Sequence, residues 1–179
     1  VSVGNATMRP FVLVGIENTQ RRRDLSGPTE NAEDRKMAPQ VGGSAAFRRF
    51  IRTELMPTIK SRYRTTDETA IIGESLAGLF VVETFFVAPD MFDTYIAFDP
   101  SLWWNDGGLL RTASEALRVG GNRRRTLYLA SSSQDRGDLT KQLADVLRQE
   151  APAAVTWHYE PLPGETHATI YHPAALLAL

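Results

Sequence analysis

The junction at which Thr69-Ala70-Ile71-Ile72-Gly73 runs into Glu74-Ser75-Leu76-Ala77-Gly78 constrains this chain more than any other stretch. The first run is apolar and β-branched, as expected of a strand buried on both faces of a parallel sheet. Residues 76–87 then read as a helix that Pro89 terminates. A strand, a sharp turn and a helix in direct succession thrust the residue at the turn out above the sheet, and the turn is so tight that its neighbours must be small. Gly73 and Ala77 meet that need, and Ser75 is the residue presented. The Gly-x-Ser-x-Gly pattern is not strict: Ala77 occupies the place of the second glycine and Gly78 follows. A serine that merely caps the helix is the competing explanation.

The rest of the chain repeats the alternation. Phe11-Val12-Leu13-Val14-Gly15-Ile16 reads as a buried strand, and residues 17–43 form a long polar loop of the kind that borders functional sites. From Ser44, apolar residues at Phe47, Phe50, Ile51, Leu55, Ile59 and Tyr63 recur at helical steps, with Pro57 as a kink. Strands are expected at 95–98, 126–130 and 155–159, helices at 108–119 and 139–149, and a short helix at Pro173. Five strands alternating with helices imply an α/β fold in one domain, residues 1–179, with a mainly parallel sheet flanked by helices, because each parallel step needs a crossover.

Composition narrows the function. A formal net charge of −1 provides no field to draw the chain onto nucleic acid or a membrane surface. The triplets Arg21-Arg22-Arg23 and Arg123-Arg124-Arg125 read as solvated edges with no nucleic-acid role. Zero cysteines exclude disulfides, thiolate zinc sites and cysteine nucleophiles, and no secretory signal is visible in residues 1–5. Neither a metal ion nor an organic cofactor is implied, and no compartment is indicated.

A nucleophilic serine needs a base, and the chain has three histidines. His158 lies within a strand and His172 beside Pro173 at a helix start. His167 follows the last strand on the loop Leu162-Pro163-Gly164-Glu165-Thr166-His167, at the sheet edge where open α/β folds bind ligands. The order serine, acid, histidine points to an acid after the strand ending near Ala130. Asp138 directly precedes a helix and is explained by capping, so Asp135 is the expected triad acid, fixing the imidazole tautomer. Leu76 N–H, at the start of the helix, is the expected first oxyanion donor. Trp103 and Trp104 either wall a substrate pocket or cover the core beneath a loop.

At Val14-Gly15-Ile16-Glu17-Asn18-Thr19, Arg23-Asp24-Leu25-Ser26-Gly27-Pro28-Thr29, Gly73 to Gly78, Ala97-Phe98-Asp99-Pro100-Ser101-Leu102-Trp103-Trp104 and Glu165-Thr166-His167, the chain resembles the putative-esterase family of α/β-hydrolases, which includes enterobactin-type siderophore esterases and esterase D-like proteins. The resemblance implies an α/β-hydrolase fold and ester hydrolysis through an acyl-enzyme, with Ser75 matching the nucleophile and His167 the base. Family members usually carry about 100 further residues upstream, with early strands and an oxyanion loop. Relative to that pattern this chain reads as N-terminally truncated.

Two arrangements are then expected. The Phe11 strand closes directly on the Ile71 strand, with an oxyanion amide borrowed near Glu17, Asn18 and Thr19, or a second copy covers the exposed edge as a homodimer. The leading function is a serine esterase acting on small-molecule short acyl or aryl esters. Glu17, Trp103 and Trp104 are the expected substrate-binding residues, and a narrower alternative is a catecholate siderophore esterase in which Trp103, Trp104 and the arginines near Arg21 receive the aromatic and anionic groups. The alternative from another class is a catalytically impaired binding protein, or one piece of a split hydrolase.

Overall fold

The computed structural model describes residues 10–18, 20–37 and 39–179. Thr19 and residues 1–5, included in the expectations above, lie outside the described residues. Four parallel strands, β1 (Ala70–Glu74), β2 (Thr94–Phe98), β3 (Arg125–Ser132) and β4 (Val155–Leu162), pair in chain order. In register, Glu74 lies opposite Phe98, Phe98 opposite Ala130, and Ala130 opposite Glu160. All four C-terminal strand ends therefore open onto one edge of the sheet, with β2 and β3 in the middle.

The helices are α1 (Arg21–Asp24), α2 (Ala32–Lys36), α3 (Ser44–Phe50), α4 (Met56–Arg62), α5 (Leu76–Val87), α6 (Trp104–Val119), α7 (Leu139–Glu150) and α8 (Tyr171–Ala178). Between α3 and α4, residues Ile51–Leu55 form a π turn in which Met56 N–H reaches Ile51 O. The wider turn lets the helix pass Pro57, which has no N–H to donate, as a local bulge.

Alternate residues of the strands feed two cores. Tyr95 and Ala97 join Leu127, Leu129 and the apolar residues of α5 and α7 on one face, while Ile96 and Phe98 meet Ala130, Ile170 and Ala174 on the other. Helix α5 is apolar apart from Glu83 and Thr84, and it is buried along most of its length. Phe80 lies 5.3 Å from Phe47, Glu83 bridges Arg48 at 2.7 Å, and Phe85 meets Tyr95 edge-on.

Residues 11–16 correct the sequence reading. They form no strand and lie exposed, with Leu13 77% accessible. The closure of this run onto the Ile71 strand is not formed, and the sheet has four strands among the described residues. An apolar, β-prone run becomes a strand only where a neighbour supplies the hydrogen-bonding ladder. The second arginine triplet is also only partly a solvated edge. Arg123 is exposed and pairs with Asp93, whereas Arg125 is buried over the Phe85 ring. No helix among the described residues is long and apolar enough to cross a membrane.

Candidate active site

Ser75 sits between β1 and α5 at φ 59° and ψ −122°, a backbone conformation that is strained for any residue with a side chain. The turn is held by Ser75 N–H donating to Phe98 O and by Ser101 N–H donating to Ser75 O, at 3.1 and 3.0 Å. A Cβ on Gly73 would stand 2.6 Å from the backbone of Ala77, so the glycine is required by the closeness of strand and helix. Leu76 is the first residue of α5, where backbone N–H groups have no intrahelical acceptor and the positive end of the helix dipole lies.

His167 Nδ1 lies 3.0 Å from Asp99 Oδ2. An ionised carboxylate only accepts, so this contact places the imidazole proton on Nδ1 and leaves Nε2 free to act as a base. Asp99 follows β2 in a left-handed conformation, with its side chain 2% exposed, whereas the His167 ring is 45% exposed. Ser75, Asp99 and His167 line one cleft of about 600 Å³, a volume suited to a small organic ligand. Ser75 Oγ is 3.4 Å from Ser101 Oγ within it.

Asp135 lines the same cleft but is not brought to the imidazole. Its Oδ2 accepts the N–H of Thr140 at 2.9 Å, in the first turn of α7. Burial pushes its carboxyl above its ordinary value, and the Thr140 hydrogen bond opposes that rise. Asp138, expected as the cap, takes a left-handed backbone and makes no side-chain capping bond. The two acids have exchanged helical duty, and neither is the partner of His167. Asp99, the carboxylate in contact with His167, follows β2 and so falls outside the serine–acid–histidine order that looks for the acid after β3. Its signal is an ionisable residue that ends the apolar run Tyr95-Ile96-Ala97-Phe98.

The tryptophans divide. Trp104 is buried and its Nε1–H donates to Gly27 O, which makes it core beneath the 20–43 loop. Trp103 faces the cleft, with the Arg136 guanidinium 5.2 Å above its ring. The 20–43 segment, expected as a continuous loop, instead carries the short helices α1 and α2, and it borders the site through Asn31, Glu33, Asp34 and Met37. Glu17 is exposed and Asn18 half-buried, its Nδ2 enclosed without a partner, and neither is among the described cleft residues. His158 and His172 are exposed and away from the cleft. Among the described residues no group of three or more His, Asp or Glu side chains is arranged to hold a metal ion.

The ferri-bacillibactin esterase BesA of Bacillus subtilis is 36% identical over 117 residues, which are 62% of this chain and 38% of that protein. The siderophore triacetylfusarinine C esterase of Aspergillus fumigatus is 35% identical over 107 residues, 58% of this chain and 35% of its own. The chain thus spans well under half the length of these curated relatives. Among solved structures, the IroE-like serine hydrolase of Shewanella oneidensis superimposes with a TM-score of 0.80 at 27% identity, over 90% of this chain and 56% of that one. The BES protein of Bacillus cereus, at 24% identity, shares the fold with a TM-score of 0.76, over 92% of this chain and 65% of its own. The fold is that of the α/β-hydrolases. The family described as Putative esterase matches residues 2–171, nearly the whole chain, and the chain belongs to it.

Proposed function

We propose that this chain is a serine carboxyl-ester hydrolase that works through an acyl-enzyme. The observation carrying the reading is that the strained serine turn and the His167–Asp99 pair open onto one cleft. Ser75 Oγ attacks the ester carbonyl while His167 Nε2 takes its proton and then delivers it to the leaving alkoxide. Asp99 stabilises the imidazolium. The developing oxyanion faces the start of α5, where Leu76 N–H is the first donor. Asn18 is the proposed second donor, from outside the described cleft lining, which requires residues 17–18 to turn toward the oxyanion when substrate binds. Water then attacks the acyl-enzyme with His167 as base, releasing the acid and restoring Ser75. The scheme uses no metal ion or organic cofactor.

Short acyl or aryl esters are the proposed substrates. The narrower reading, a siderophore ester, is supported by the names of the relatives and by Trp103 beneath Arg136 at the cleft. Purified chain should turn over p-nitrophenyl acetate and butyrate and take a fluorophosphonate label, and Ser75→Ala should abolish both. Labelling that survives in Ser75→Ala would end the mechanism. Association of two copies remains part of the proposal, supported by the exposed run 11–16 and a β1 edge that no described strand pairs. A monomer in sedimentation at micromolar concentration would overturn it.

A further inference from the structure

We infer that Ser132 is a positioning residue for the Asp99–His167 pair, occupying both oxygens of the buried carboxylate and limiting the negative charge that Asp99 presents to the imidazole. The esterase reading supplies the pair's purpose, but the geometry stands without it.

Ser132 is the last residue of β3 and is buried. Its N–H donates to Asp99 Oδ1 at 2.6 Å and its Oγ–H to Oδ2 at 2.5 Å, the oxygen that also meets His167 Nδ1. The Ser132 hydroxyl in turn accepts the N–H of Gln134 at 3.1 Å, and Gln134 Oε1 accepts the main-chain N–H of His167 at 3.0 Å. These bonds close a ring running through Asp99, Ser132, Gln134 and His167. One residue along, Ser133 N–H and Oγ–H both donate to Glu165 O, stitching the same two loops together. His167 is thereby tied to the end of a central strand through its ring and its backbone alike, although it stands half-exposed on a loop.

Donors to a carboxylate stabilise its charged form and spread its charge. Ser132→Ala removes the Oγ–H and keeps the N–H, so Oδ1 stays anchored while Oδ2 retains His167 alone. Charge concentrated on Oδ2 favours the imidazolium. The other charged groups acting on the pair are unchanged by this substitution: Glu74 at the end of β1, itself influenced by Arg21, and Asp135 beyond β3.

The test is a nuclear magnetic resonance titration of the histidine rings, with His158 and His172 as internal references and His167→Ala for assignment. Ser132→Ala should raise the pH midpoint of the His167 signals by about half a unit or more, and move the acid limb of kcat/KM for p-nitrophenyl butyrate equally. Ser132→Thr, which keeps the hydroxyl, should match the unaltered chain. If the alanine variant does not fold, Ser132→Cys, with a weakly donating thiol, should show the upward displacement. An unmoved midpoint overturns the inference even where ester turnover is normal. A raised midpoint in a chain that neither turns over esters nor takes the fluorophosphonate label sustains it and overturns the esterase reading alone.

Discussion

Asp99 and His167, 68 residues apart in the chain, meet at 3.0 Å because the loops leaving β2 and β4 cross above the end of β3. The buried partner is the carboxylate and the half-exposed one the imidazole, which suits a base that must reach substrate. Asp99→Asn should leave the fold intact and lower turnover by about four orders of magnitude, through loss of tautomer control. Asp135→Asn should lower it by less than about tenfold. Steady-state kinetics of both variants decide between the two acids, and a reversal would return Asp135 to the triad.

Stability should depend on Asp135 with a definite sign. Burial raises its carboxyl in the folded chain, so the native state holds that proton more tightly than the unfolded chain does. The cost of ionising it is present at neutral pH and disappears as pH falls through the raised folded value to the ordinary one, about 3.9. Asp135→Asn keeps an acceptor for Thr140 N–H without the charge. Its melting temperature should equal or exceed that of the unaltered chain at pH 7, with the gap closing toward pH ~4. A variant that is less stable at pH 7 would show that the Thr140 hydrogen bond outweighs the burial cost.

Gly73→Ala should be felt at the nucleophile. Its Cβ meets the main chain of Ala77, which cannot turn aside as a side chain could. Overpacking of this kind costs about 1–3 kcal/mol, and relief by shifting β1 from α5 would displace Ser75. Chemical denaturation and the rate of fluorophosphonate labelling should both fall. Unchanged labelling would mean that the turn tolerates a wider approach.

The cleft wall formed by the 20–43 loop hangs on Asp34. This buried carboxylate accepts Thr29 Oγ1–H at 2.7 Å and Asn105 N–H at 2.8 Å, while Asn31 Nδ2–H donates to Asp106 at 2.6 Å. Asn105, Asp106 and Gly107 all have positive φ, a strained run that these contacts hold in place. Asp34→Ala should cost about 1–3 kcal/mol and raise KM several-fold for bulky esters, with labelling by a small fluorophosphonate near normal. Equal losses for small and large substrates would show that the loop does not shape the cleft.

What local sequence determined was the local chemistry. A tight turn between a buried strand and a helix admits few residues, so Gly73, Ser75 and Ala77 could be read as a unit, as could the strand-and-helix alternation that makes the sheet parallel. The place of the His167 loop could be read because it leaves the last strand on the side where parallel strands all end.

Tertiary structure decided whatever depends on a partner distant in the chain. Phe11 to Ile16 has strand-like composition, yet an unpaired run acquires no ladder from composition. Which carboxylate meets His167 depends on where the loops leaving β2 and β4 come together: Asp99 after β2 reaches that point, while Asp135 after β3 is turned to the Thr140 N–H. Asp135 and Asp138 exchanged helical duty for the same reason: a hydrogen bond forms with whichever acceptor the fold places within reach of the amide. Trp103 and Trp104, adjacent in sequence, were separated into cleft and core by the loop that packs over one of them alone.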